Sequence, residues 1–140
     1  KARHSPERGG DSRLVRGVPW IFRDEAANVE ELRALGHPAL LVNVENQEGK
    51  EMGSAVCNLQ KGGPMGSLNI LARMVADNIN LEIDKGFFAQ RVRRALQHRE
   101  HVFGSSKPYY RLLNAEGDHV PGILCDRYGD VLCVQFTAAA

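Results

Sequence analysis

Apolar and polar positions in this chain keep two rhythms, and the change from one to the other divides it. Leu40-Leu41-Val42-Asn43-Val44-Glu45 and Met52-Gly53-Ser54-Ala55-Val56-Cys57 flank the polar stretch Asn46-Gln47-Glu48-Gly49-Lys50. That order predicts strand, tight turn, strand. The Gly- and Pro-rich segment from Gln60 to Gly66 then predicts a loop, and Leu68 to Val75 a third strand. Upstream, Leu14 to Phe22 predicts a short strand broken by Gly17 and Pro19, ending in an aromatic corner at Trp20. Glu30 to Leu35, stopped by Gly36, predicts a helical turn or two. Residues 1–12 carry no period of 2 or 3.6 and are expected to be a loose arm.

From Asp84 the period becomes helical. Asp84 suits an N-cap, and Phe88, Val92, Ala95 and Leu96 form an apolar stripe of helical spacing. Arg91, Arg94, His98 and His101 line the other side as a basic stripe. Arg99 falls instead with the apolar side, three residues after Leu96 and seven after Val92. It is therefore predicted to bury its stem and pair its head with a carboxylate, while Arg91 and Arg94 stay exposed. Past Gly104-Ser105-Ser106-Lys107-Pro108, three strands are predicted: Tyr109 to Asn114, Gly122 to Tyr128, and Val131 to Phe136. A two-residue Gly129-Asp130 loop sets Tyr128 opposite Val131, Asp126 opposite Cys133 and Cys125 opposite Val134. Cys125 and Cys133 then project from opposite faces and cannot form a disulfide. The fold class expected is mostly β with α (α+β). A small β barrel spans residues 13–80, and a linking helix with the start of a second α+β domain, its antiparallel sheet partial, spans 81–140.

The 140 residues, 43% hydrophobic and 25% charged, are enough for one ordinary domain and a second small or incomplete one. The longest aliphatic run is Ala39 to Val42, far short of the ~20 residues of a spanning helix, so no membrane role is expected. A first residue Lys and a closing run of Ala suggest the boundaries of a fragment. Net charge is only +1, but the signs are segregated: +4 over residues 1–23, −5 over 24–60, +5 over 61–111 and −3 over 112–140. Thirteen of the 18 basic residues are Arg, whose planar fork binds phosphate bidentately and stacks on bases. That leans towards nucleic acid, although Arg also decorates solvated faces.

Cys57, Cys125 and Cys133 include no C-x-x-C pair. They argue for a cytoplasmic or other reducing compartment, an organelle included, and each lies in an apolar stretch that suits a small buried hydrophobe. The common signatures for dinucleotides, triphosphates, acyl transfer and zinc are absent from the sequence. His98 and His101 lack a third ligand placed by sequence, so no metal is expected. Glu116, Asp118 and Asp126 with His119 could suggest magnesium-assisted phosphodiester chemistry. The competing reading is a pair of turns, since Gly117, Pro121 and Gly122 are what turns require.

A series of short motifs occurs in a fixed order. It runs through Arg16-Gly17-Val18-Pro19-Trp20-Ile21-Phe22, Ala72-Arg73, and Asp84 with Phe87-Phe88, Arg91 and Arg99. It continues through Tyr110-Arg111-Leu112, Asn114-Ala115-Glu116-Gly117-Asp118, Pro121-Gly122 and Asp126-Arg127-Tyr128. This series resembles the N-terminal half of the rRNA cytosine-carbon-5 methyltransferases. Those enzymes join a PUA domain, a small β-β-α-β-β domain and a Rossmann-type S-adenosylmethionine domain. The resemblance runs from about Leu14 to Phe136. One departure is Val18, where the family commonly has His before Pro-Trp.

The resemblance implies a PUA-like pseudobarrel that grips structured RNA, chiefly rRNA, through backbone and shape. Arg16, Lys61, Arg73, Arg91, Arg94 and Arg111 are the candidate RNA contacts. The donor site and catalytic cysteine of that family lie in the Rossmann domain, after Ala140, so no catalytic residue is assigned here. The parent protein would use S-adenosylmethionine; this chain alone is expected to bind no cofactor and methylate nothing. The alternatives are a free-standing PUA-type RNA-binding or ribosome-associated protein, and a protein-interaction module without RNA binding.

Overall fold

The computed structural model describes residues 2–3, 14, 16–59 and 69–137. Lys61 and the expected strand start at Leu68 lie outside these residues. The chain divides into two compact units between Leu81 and Glu82.

The first unit holds β1 (Ala2–Arg3), β2 (Trp20–Phe22), the short helix α1 (Val29–Ala34), β3 (Ala39–Glu45), β4 (Glu51–Asn58) and β5 (Ile70–Ala76). Its sheet has the order β1-β3-β4-β5-β2. Among the described residues only the β1–β3 pairing of this sheet is parallel, with Ala2 and Arg3, inside the expected arm, opposite Val44 and Glu45. The strand expected from Leu14 narrows to Trp20–Phe22. Gly17, at φ +83°, closes a turn by donating its N–H to the Leu14 carbonyl at 2.9 Å, and Pro19 has no N–H to give a ladder.

Period 2 then sorts the faces. Leu40, Cys57, Ala72 and Ile21 lie in register across β3, β4, β5 and β2 and enter the core with Val42, Ala55 and Leu32 of α1. The next row, Leu41, Val56, Arg73 and Trp20, faces the other way. Burial pushes the Cys57 thiol up to about 11 against the pull of Arg23 and Arg33, so it stays protonated and inert at neutral pH. After β2, Glu25 is buried, and its carboxylate accepts the Phe22 N–H at 2.9 Å. Buried Ser54 donates to the Asn78 carbonyl at 2.8 Å, and Asn43 exchanges hydrogen bonds of 2.8 and 3.0 Å with Asn80. These bonds tie the segment after β5 to the β3–β4 hairpin.

The second unit holds α2 (Lys85–Phe103), β6 (Tyr109–Asn114), β7 (Ile123–Tyr128) and β8 (Val131–Phe136), the strands in the order β6-β7-β8. Asp84 caps α2 as expected, its Oδ1 accepting the Phe87 N–H at 2.7 Å, and Gly104 at φ +79° ends it. The helix packs against β6. Val92, Ala95 and Leu96 meet Leu112, Leu113, Val120 and Cys125 in the core. Phe88, expected in that stripe, is exposed and lies edge-on to buried Phe87 at 5.3 Å. A bulge between Arg111 and Leu113 turns Leu112 and Leu113 both inward, breaking the alternation. The β7–β8 register is the one set by the Gly129-Asp130 loop, with Gly129 at φ +63°. The fold class is thus mostly β with α, as read from the sequence. Among the described residues no helix is long and apolar enough to cross a membrane.

All three cysteines are free; Cys57 and Cys125 are buried. Cys133, expected in a core, is exposed, because it stands on the edge strand β8, every residue of which is exposed. A thiol reagent should therefore titrate one cysteine quickly in the native protein and all three after denaturation without reductant. Fewer than three in the denatured protein would overturn this register.

Candidate nucleic-acid interface

In the first unit, Arg16 is exposed on the turn that Gly17 closes. Arg73 is half-buried on the outward sheet face, in register between Val56 and Trp20. Trp20 remains 39% exposed there. Arg73 and Trp20 are cross-strand partners on one sheet face, and a guanidinium and an indole so paired can meet both phosphate and base.

In the second unit the basic side of α2 is solvent-facing at Arg93, Arg94, His98 and His101. Arg91 departs from expectation: it is half-buried, its guanidinium 5.0 Å from the Phe87 ring centre. It lies one turn after Phe87, so the ring that anchors the start of the helix also holds the cation. Arg99 does what its position required. Its terminal nitrogens donate to the two carboxylate oxygens of Asp118 at 2.5 and 2.6 Å, the side chains being only 13% and 8% exposed. Its Nε donates to the Arg111 carbonyl at 3.1 Å, where β6 bulges. The short 3-10 turn Ala115–Asp118 delivers this carboxylate, which also accepts the Asn114 N–H at 2.7 Å.

Arg111 is bidentate to Asp126 at 2.9 and 3.0 Å. These hydrogen bonds hold the Asp126 carboxyl below its usual range and raise the guanidinium further. The acidic residues Asp118 and Asp126 therefore each face an arginine, as turn and ladder elements do. Among the described residues no group of three or more His, Cys, Asp or Glu is placed to hold a metal. Of the six candidate contacts, Arg16 and Arg73 stand in the first unit and Arg91, Arg94 and Arg111 in the second, while Lys61 is outside the described residues.

Sequence reasoning missed an aromatic and cationic group in the second unit. Lys107 lies 5.9 Å from the ring centre of Phe103, and the Arg127 guanidinium 5.6 Å from that of Tyr110, whose hydroxyl accepts from Arg127 at 3.0 Å. Phe103 and Tyr110 stand 6.0 Å apart, and Tyr109 and Tyr128 6.4 Å apart. Tyr109 and Tyr128 are 67% and 55% exposed. The available signal was the run Lys107-Pro108-Tyr109-Tyr110-Arg111, where bases and rings interleave.

Residues 7–65 match a family profile described as a PUA-like domain. The chain is similar to ribosomal RNA large subunit methyltransferase I of Shigella dysenteriae, Cronobacter sakazakii and Escherichia coli. Each is 29% identical over 133 residues, covering 94% of this chain and 31% of the relative. The chain thus spans about a third of the length of these relatives. Two solved structures share the fold. One, from Streptococcus mutans and assigned as a SAM-dependent methyltransferase, superposes with a TM-score of 0.73 at 16% identity over 99% of this chain and 34% of its own. The other, described as a methyltransferase complexed with SAH, gives 0.70 at 18% identity over 92% and 30%.

Proposed function

We propose that this chain is the RNA-binding N-terminal region of an S-adenosylmethionine-dependent rRNA methyltransferase that modifies carbon 5 of cytosine. It would position structured RNA for a catalytic domain carried elsewhere in the full-length protein. The observation that carries this reading is the match along 94% of the chain to the rRNA large subunit methyltransferase I relatives. The PUA-like profile over residues 7–65 supports an RNA-handling role, and the absence of paired cysteines among the described residues suits a reducing, cytoplasmic setting.

The chemistry available is phosphate recognition. Exposed Arg16 and Arg94 offer forks to the RNA backbone, while Arg91 and Arg111 are each held by neighbours and Arg73 stands half-buried on the sheet face. Contacts of this kind give affinity and register, with little reading of sequence. The test is binding of a structured rRNA fragment to the 140-residue chain as a function of salt. With Arg16→Ala and Arg94→Ala combined, affinity should fall several-fold and the slope of log K against log salt by roughly 1 to 2, with the circular dichroism unchanged. An unchanged slope would remove these two arginines from the interface. Failure of the unsubstituted chain to bind RNA at low salt would overturn the RNA reading itself.

A further inference from the structure

We propose that a cleft in the second unit, where the last turns of α2 meet β6, binds one unpaired nucleotide of an RNA strand, its base stacked on Phe103. The proposal rests on the RNA-binding reading above and deepens it.

The cleft has a volume of about 390 Å³, within the range of small-ligand sites, and its walls differ in character. Val102 and Phe103 form the apolar wall, although they are 55% and 45% exposed. Neither is needed by the core, which takes Val92, Ala95 and Leu96 from the same helix. The Phe103 ring centre stands 6.0 Å from that of Tyr110 and 5.9 Å from the Lys107 ammonium, so an aromatic ring and a cation flank the surface on which a planar group would settle.

The opposite wall is polar. Arg111 donates Nε and Nη2 to Asp126, which balances its charge but leaves the Nη1 donor of this more exposed, already fixed side chain for a phosphate oxygen. Asn114 contributes an amide with both donor and acceptor, and His98 a second ring with the same capacity. The Arg99–Asp118 pair lies in the lining with its charges mutually neutralised.

An exposed ring, a donor-acceptor amide and one guanidinium donor match the three parts of a nucleotide: a flat base, its polar edge and a phosphate. A divalent cation would have to displace Arg99 from Asp118. An acidic peptide would use Arg111 and leave the ring idle.

The experiment uses the 140-residue chain with a short single-stranded RNA and with an abasic ribose-phosphate strand of the same length, both read by anisotropy. The strand that carries bases should bind the more tightly. Phe103→Leu should weaken its binding about five- to tenfold and leave the abasic strand's unchanged, Phe103→Tyr should keep both, and a fully paired duplex should bind either protein alike. Equal affinity of the unsubstituted chain for the two strands would overturn the proposal. So would affinity for the base-carrying strand that Phe103→Leu leaves unchanged, the result expected of an acidic-peptide site. No binding of any RNA by the unsubstituted chain would instead overturn the broader reading.

Discussion

Asp118→Asn should destabilise the second unit by about 3 kcal/mol, the scale on which breaking one side of a buried ion pair operates. Asp118 is only 8% exposed, receives both terminal nitrogens of Arg99, and also caps the Asn114 N–H. An amide keeps the shape and one acceptor, but leaves the Arg99 guanidinium, 13% exposed, with half its partner and no counter-charge. Replacing both residues, as Arg99→Met with Asp118→Leu, should cost less than the single substitution, because no buried charge is then stranded. The aromatic residues make the measurement selective. The single Trp, Trp20, is in the first unit, and Tyr109, Tyr110 and Tyr128 are all in the second. On urea titration the tyrosine near-ultraviolet signal should vanish at lower denaturant while the Trp20 fluorescence transition holds. A loss below about 1 kcal/mol would place this pair with ordinary surface ion pairs.

Gly53→Ala should act on the first unit with comparable size, roughly 2–4 kcal/mol, and shift the Trp20 transition instead. Gly53 sits at φ +130°, a conformation that disfavours a Cβ. A Cβ there would collide with the Ala76 carbonyl oxygen of β5 and press on the Asp77 Cα and the Met74 Cε, both at 3.0 Å. Backbone cannot step aside without breaking the β4–β5 pairing of Ser54 with Ala76. Gly49→Ala is the control: its φ is +78°, but nothing lies within 4 Å, so only the local strain of about 1 kcal/mol should be seen. Equal costs at the two sites would show that close approach between β4 and β5 contributes nothing.

The elements whose signals are local were legible in the sequence. The Asp84 cap, the β3–β4 hairpin around its polar turn and the β7–β8 register through Gly129-Asp130 each depend on residues within a few positions of one another. Helical phase alone placed Arg99 on the buried side and demanded a carboxylate for it. The ordered motif series also carried the resemblance to an rRNA methyltransferase front end, which the match over 94% of the chain supports.

What phase could not supply was the partner, because Asp118 reaches Arg99 only once a 3-10 turn and a bulged β6 are packed against α2. Tertiary packing likewise decided that Phe87 rather than Phe88 is buried, that Arg91 therefore lies over a ring, and that Cys133 stands in water on an edge strand. It also assembled the cleft of Phe103, Arg111 and Asn114 from a helix end and a strand. Sequence thus determined the periods, caps and turns of this protein, which are set by neighbouring residues through backbone sterics and local hydrogen bonds. Which side chains share a site was left to the tertiary structure, because burial and pairing depend on surfaces that meet only when distant segments pack.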